Sequence, residues 1–238
     1  MNIILFEEQE IERALPISDR RIKHLIKVIK IQPGEMFDAG VLQTSIGKAH
    51  YEYLNTKEVK LSYKAATKAL LRPFPIRILL GAVRPVNIQR TLRDLSTLGV
   101  EQIHLLQSDK SEKSYLNSRA YNRDRILQYL IEGAEQAFSP FLPQVFIHQK
   151  LEDAMAANTD SQNFAFDNYD FDMSWGEAIL QEKHICMAIG PERGWSNKER
   201  ILFKEHNYTL CSLGKRVLRT ETAAVVTVSV LLNKMNLI

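Results

Sequence analysis

Ile189-Gly-Pro-Glu-Arg-Gly-Trp-Ser196 and Leu213-Gly-Lys-Arg-Val-Leu-Arg-Thr-Glu-Thr-Ala-Ala224 are the two stretches that decide how this chain is read. Each follows an apolar, strand-like run, Ile185 to Ile189 and Tyr208 to Leu213, and each leads into a helix-like stretch. Strand, tight loop, helix is the order that points backbone N–H groups and a helix dipole at a ligand. Either loop alone also reads as plain turn punctuation. The company they keep favours one composite pocket: Arg216, Arg219, Thr220, Glu221 and Thr222 crowd an otherwise apolar C-terminal segment. A buried helix entrance rarely tolerates so many polar groups unless something pairs with them.

The first loop ends in Ser196-Asn-Lys-Glu199, a capping box. The helix it opens is expected to turn Ile201 and Leu202 inward and to end near Asn207. Glu199 thereby has a structural task. Glu192, inside the loop, has none and is the better functional candidate.

Composition bounds the rest. The hydrophobic fraction is 45% and the formal net charge +3 over 238 residues, an ordinary globular profile with room for one large or two modest domains. Glu7 makes the N-terminus acidic too early for a signal peptide, and the longest uncharged apolar run, Thr222 to Asn233, is too short to span a bilayer. Cys186 and Cys211 both fall in strand-like runs and read as small core residues in a reducing compartment. A soluble, cytoplasmic protein is expected. The six histidines show no metal-ligand spacing, and no dinucleotide Gly-x-Gly-x-x-Gly, phosphate-loop, His-Glu-x-x-His or Gly-x-Ser-x-Gly pattern is present. Common hydrolase, nucleotidase and metalloenzyme readings are thereby removed.

Charge is unevenly placed. Residues 1–72 hold 12 Lys/Arg against 9 Asp/Glu, so the whole net positive charge lies there. Within Asp19 to Lys30, Ile22, Leu25, Ile26 and Ile29 form an apolar helical face, and Arg20, Lys23, Lys27 and Lys30 a basic stripe capped by Asp19 or Ser18. The stripe is either a solvated face or a phosphate-contacting patch. Around it, Ile3 to Phe6, Met36 to Ala39, Lys48 to Leu54 and Val59 to Tyr63 read as short strands, which fits a small barrel with one helix.

Leu71-Arg-Pro-Phe-Pro75 reads as a linker. Strand and helix then alternate: strand Ile76 to Leu80, a helix capped by Asn87 and closed by Gly99, strand Val100 to Leu106, a long helix Arg119 to Phe138, strand Val145 to His148, helix Leu151 to Asn158, strand Asn163 to Asp167. This order predicts an α/β fold on a mostly parallel sheet, with the site at the strands' C-terminal ends. The last segment is ambiguous, since Val225, Val226, Val228 and Val230 favour a strand.

The two loops together resemble those of the knotted SPOUT methyltransferases, specifically the RsmE type, which use S-adenosylmethionine (SAM) to methylate N3 of one uridine in small-subunit ribosomal RNA. The family's second loop reads Leu-Gly-x-Arg-Val/Ile-Leu-Arg-Thr-Glu-Thr-Ala and is intact from Leu213 to Ala223; the first departs at Arg193 and modestly at Trp195. His24-Leu-Ile-Lys-Val-Ile-Lys with Pro33-Gly34-Glu35 resembles the family's N-terminal PUA-like RNA-binding domain, in which an arginine usually stands where Lys30 does. The resemblance implies a PUA-like β-barrel domain over residues 1–70 and a SPOUT domain over 71–238, with a trefoil knot near 163–232 and helices on both faces of the sheet. It further implies a C-terminal helix packed in a homodimer interface; on that basis the last segment is expected to be helical.

The resemblance also implies site residues. SAM would lie against Ile189, Gly190, Pro191, Glu192 and Gly194 on one side and Leu213, Gly214, Arg216, Val217 and Leu218 on the other. Phe166 and Asp167 would line a third side, with Thr220, Thr222 and Ala223 beside them. Arg219 would offset charge on a uracil oxygen, and Glu192 or Glu221, unranked, would accept the N3 proton. RNA would meet Arg20, Lys23, His24, Lys27, Lys30 and Arg193; in place of the family's missing arginines, Arg84, Lys110 and Lys113 could supply phosphate contacts from other loops, each being by default a solvated surface charge. Other features depart from the family. Its two arginines after Glu-Gln are missing from Glu135-Gln-Ala-Phe-Ser-Pro-Phe-Leu-Pro143, and its Glu-Leu-Gly is Thr97-Leu98-Gly99. Two further readings therefore stay open: a methyltransferase of the same fold acting on another RNA base, and a non-catalytic RNA-binding protein.

Overall fold

Short alternating runs punctuated by glycine and proline give the first part of the chain its strands, and longer alternation of strand and helix gives the rest. A computed structural model describes residues 2–67, 70 and 72–238; Leu71, where the expected linker begins, lies outside them. The chain divides into two compact units, Met1–Arg72 with Ala134–Leu142, and Pro73–Gly133 with Pro143–Ile238.

The first unit holds β1 (Ile4–Phe6), α1 (Glu8–Ile11), β2 (Ala14–Pro16), α2 (Arg20–His24), β3 (Phe37–Val41), β4 (Ser45–Tyr53) and β5 (Glu58–Ala65). The five strands form one sheet in the order β1-β3-β4-β5-β2, with β1–β3 parallel and the other pairs antiparallel. The sequence reading missed α1 and β2, both too short to carry a period. Residues 134–142 join this unit through β1: the Ile3 N–H donates to the Glu135 carbonyl at 3.1 Å and the Leu5 N–H to its carboxylate at 3.2 Å.

Asp19 caps α2 by accepting from the Arg21 N–H at 2.8 Å. The helix then widens into a π turn over Leu25–Ile29, where the N–H groups of both Lys30 and Ile31 donate to the Leu25 carbonyl, and Lys30 takes the left-handed conformation at φ 62°. The extra residue in this turn rotates the later side chains about the helix axis. Ile22 and Leu25 are buried and Ile26 packs on the core, but Ile29, expected inward, is 45% exposed. Arg20, Lys23, His24, Lys27 and Lys30 are all exposed.

The second unit contains β6 (Phe74–Gly81), α3 (Pro85–Thr97), β7 (Val100–Leu106), α4 (Arg123–Gln136), β8 (Gln144–His148), α5 (Leu151–Ala156), β9 (Gln162–Phe166), β10 (Met173–Ser174), β11 (Ile185–Ile189), α6 (Asn197–Glu205), β12 (Thr209–Ser212) and α7 (Thr220–Lys234); the last turn of α4 falls in the first unit. Seven strands form one parallel sheet in the order β10-β12-β9-β11-β6-β7-β8. The chain runs outward from β6 to β8 and returns to β9, and β11 then fills the space between. Among the described residues no helix is long and apolar enough to cross a membrane.

Several boundaries differ from the sequence reading. Phe74 and Pro75, expected in the linker, open β6. Asn87 is not the cap of α3: Arg84 is, with Pro85 at the first helical position, where its missing N–H has no intrahelical partner to lose. The expected helix over Arg119–Phe138 is broken, with one 3₁₀ turn at Arg119–Tyr121 before α4, and Phe138 lies beyond its end at φ 54°. In α6 the capping box forms as expected, but Ile201 is 59% exposed, Phe203 is buried instead, and the helix stops at Glu205. The valine-rich C-terminal stretch is helical, as α7.

On β7 and β8, His104 and His148 stack, and one tautomer assignment satisfies both: His148 Nε2–H donates to His104 Nδ1 at 2.9 Å, and His104 Nε2–H to Gln102 Oε1 at 3.2 Å. Burial, then the neighbouring His148 and Arg77, push His104 from its ordinary 6.5 down to about 4; burial lowers His148 as well. A histidine with a depressed folded pKa stabilises the fold fully above the unfolded pKa and loses that contribution as pH falls toward the folded one. Between pH 6.5 and 5 stability should therefore fall by at most about 1.4 kcal/mol per pH unit through His104, and His148 acts in the same direction. Urea unfolding at pH 7.5 and 5.0 checks the loss, and a His104 imidazole that titrates near 6.5 by NMR would contradict it.

Candidate functional site

Four neighbouring strands, β12, β9, β11 and β6, send their C-terminal loops to one cleft of about 580 Å³. Its walls are Arg84, Val86 and Asn87 after β6; Phe166 to Tyr169 at the end of β9; Ile189 to Glu192 and Gly194 after β11; and Leu213, Val217 to Glu221 and Ala223 after β12. The two glycine loops thus face one cavity.

Local chemistry fixes each wall. Pro191 accepts from the Gly194 N–H at 2.8 Å, closing a turn over Glu192 and Arg193, and Gly194 follows at φ 65°. Arg193 sits in this turn at a φ open to any L residue, so it replaces the family's glycine without strain. A Cβ on Gly190 would lie 3.1 Å from the Gly194 Cα, so any side chain there would press the loop's two sides apart by a few tenths of an ångström. Trp195 is buried and its indole N–H donates to the Phe166 carbonyl at 3.1 Å, tying this loop to the end of β9. Glu199, besides capping α6, accepts from the Asp109 N–H at 2.9 Å, and Ser196 Oγ donates to Asp109 Oδ2 at 2.6 Å, which ties the loop after β7 to the same helix start.

Glu192 has a structural task after all. Its Oε1 accepts from the Arg84 N–H at 2.9 Å and from Asn87 Nδ2 at 3.4 Å, placing a carboxylate at the positive end of α3. Asp167 is committed as well: Oδ1 accepts from the N–H groups of Tyr169 and Asp170, and Oδ2 from Arg200 Nε at 3.0 Å. Glu221 differs from both. It is only 9% exposed, borders the cleft, and makes no hydrogen bond or ion pair among the described residues. Arg219, at the N-cap of α7, also borders the cleft; it is exposed and bonds neither Glu221 nor a carbonyl among the described residues.

The expected site residues divide accordingly. Phe166, Asp167, Ile189, Gly190, Pro191, Glu192, Gly194, Leu213, Val217, Leu218, Arg219, Thr220, Glu221 and Ala223 border the cleft. Gly214 and Arg216 do not: Gly214 shapes its loop through a φ of 114°, and Arg216 points to solvent. Thr222 turns to a second, smaller cleft between α3 and α7 that Glu221 also borders. Arg84, expected at RNA, lines the main cleft. Lys110 donates to the Arg193 carbonyl at 3.4 Å, and Arg193 lies 3.9 Å from Glu112, while Lys113 is exposed. The sequence reading missed Val86, Asn87, Asn168 and Tyr169; Asp167-Asn-Tyr was legible as a turn whose aspartate bonds the N–H two residues on.

A family model described as an RNA methyltransferase domain matches residues 71–232. The ribosomal RNA small subunit methyltransferase E of Treponema pallidum is 33% identical over 98% of this chain and 91% of its own length. The chain belongs to the ribosomal RNA small subunit methyltransferase E family. A second member of the family, from Borreliella burgdorferi, is 28% identical over 98% of this chain and its full length. Among solved structures, a methyltransferase of Legionella pneumophila in complex with SAM matches with a TM-score of 0.84 at 22% identity, covering 98% of this chain and 97% of that one. A family member from Neisseria gonorrhoeae bound to SAM gives 0.78 at 20% identity, over 98% and 97%. These matches extend through the first unit as well as the second.

Proposed function

We propose that this chain transfers a methyl group from SAM to N3 of a uridine in small-subunit ribosomal RNA. The observation that carries the reading is the single cleft walled by both glycine loops. Its residues fit SAM: the backbone is bare where Gly190 meets Gly194, the volume is in the range of small-molecule sites, and among the described residues no cluster of arginines demands a polyphosphate. Residues 71–238 are read as a trefoil-knotted SPOUT domain, and residues 1–70 as a PUA-like barrel that carries RNA. The protein is read as cytoplasmic and homodimeric through α7.

Bound SAM supplies an electrophilic methyl, and the chain's own residues do the rest. Rate comes first from holding the uracil N3 in line with that methyl. The N3 proton must leave as the N–CH₃ bond forms, and Glu221, the site carboxylate without a partner among the described residues, is its acceptor. Glu192, engaged at the start of α3, holds the cofactor loop in place. Arg219 faces the uracil oxygen on which negative charge gathers. The decisive experiment maps the modified nucleotide in ribosomal RNA from cells with and without the gene. A lost methyl at a position other than uridine N3 would move the reading to a different base, and no lost methyl together with no SAM binding would leave only RNA binding.

In the first unit, the exposed stripe of Arg20, Lys23, Lys27 and Lys30 is assigned to phosphates. Changing Lys23 and Lys27 to Gln should weaken RNA binding across sequences and flatten the slope of log affinity against log salt by about two. SAM affinity by calorimetry should stay unchanged, and an unaltered salt slope would remove the stripe from the interface.

A further inference from the structure

The loop that leaves β9 carries three aspartates, each tied to the scaffold. Asp167 holds Arg200 and two N–H groups of its own turn, Asp170 pairs with Lys204 at 3.0 Å, and Asp172 accepts from the Leu210 N–H at 3.0 Å. Between these anchors stands Tyr169, 78% exposed on the rim of the cleft. Arg200 lies on one face of its ring, 5.7 Å from the centroid, and that guanidinium is itself fixed by Asp167 and Asn197. The ring is thus braced from below and has no hydrogen-bond partner for its hydroxyl among the described residues. Val86 and Val217, 80% and 74% exposed, border the same cleft from the first turn of α3 and from the loop after β12.

We propose that Tyr169 is the platform on which the target nucleobase stacks as it enters the cleft, which makes it a substrate-binding residue that selects for a base turned out of its strand. The proposal rests on the RNA methyltransferase reading above. Arg84 and Arg219, both exposed, border the cleft and could meet a phosphate, whereas Tyr169, Val86 and Val217 offer a flat base an aromatic face and two valines. A side chain that cradles the cofactor's adenine should be largely covered by the wall itself, as Phe166 is; Tyr169 stands outside that wall. Bracing the ring in advance matters because stacking then costs little ordering, and a base stacked on an aromatic side chain is held by about 1–3 kcal/mol.

Two measurements test this. Trp175 and Trp195 are both buried, so a Tyr169→Trp variant gains one accessible indole. Oligouridylate should quench it, and SAM alone should not. In single-turnover methylation of small ribosomal subunits from cells lacking the gene, at subsaturating subunit, Tyr169→Ala should lower the rate about 10-fold. Tyr169→Phe, which keeps the ring, should recover most of that loss, and SAM affinity by calorimetry should not follow the pattern. An unchanged rate in Tyr169→Ala overturns the proposal, as does quenching by SAM with a SAM affinity that falls in Ala and returns in Phe, which would place adenine on the ring. A wild-type protein inert toward both SAM and subunits sinks the methyltransferase reading, and the proposal with it, by a separate result.

Discussion

Glu221→Gln should slow single-turnover methylation, at saturating RNA and SAM, by about 100- to 10,000-fold, the range that a positioned proton acceptor supplies. The amide keeps the shape and cannot take the N3 proton. Because Glu221 makes no hydrogen bond or ion pair among the described residues, the substitution breaks no hydrogen bond; it removes one negative charge from the first turn of α7, so the urea midpoint should fall only slightly. Glu192→Gln should behave in the opposite sense, since that carboxylate stabilises the start of α3 and loses part of this role as an amide. Arg219→Ala should sit beside Glu221→Gln, with a loss of about 100-fold if the guanidinium meets developing charge. A Glu221→Gln enzyme that turns over at the wild-type rate would remove the proton acceptor from the scheme, and an Arg219→Ala enzyme that does so would remove its cation.

Gly214→Val should weaken SAM binding by about 10- to 100-fold, the equivalent of the strain an L residue meets in a sparsely populated backbone region. At φ 114° the position is closed to a β-branched side chain, although open space surrounds it. The loop must therefore relax, and it carries Leu213, Val217 and Leu218 away from the cleft. Gly190→Val acts by a different route, pressing against Gly194 rather than against its own φ. Calorimetric titration of both variants separates the cases: equal affinity to wild type in both would mean that the glycine loops do not hold the cofactor.

Much of this was legible because it is local. The capping box Ser196 to Glu199, the strands Ile185–Ile189 and Val100–Leu106, and the turn at Gly99 all depend on neighbouring residues and appear as read. What escaped depends on distant partners. Nothing near Glu192 announces that Arg84, over a hundred positions earlier, will donate to it. Ile29 obeys a 3.6-residue period that the π turn over Leu25–Ile29 breaks. Tyr169 lies beyond the expected strand Asn163 to Asp167, in a stretch given no element of its own, and its place on the cleft comes from β9 lying between β12 and β11. For the helix of α7, the β-branched run pointed to a strand, and only the resemblance pointed to the structure found.

The cleft's walls run from Arg84 to Ala223, so they draw on nearly the whole length of the second unit's chain. No fragment of that unit contains the cavity, and a ligand held there binds the native state and nothing less. By linkage, ligand at 100 times its Kd should add about 2.7 kcal/mol to the unfolding free energy of that unit. The first unit shares none of these walls and gains nothing directly. Heating the protein with and without ligand should therefore pull two melting transitions apart, with Trp175 and Trp195, both in the second unit, reporting only the one that moves.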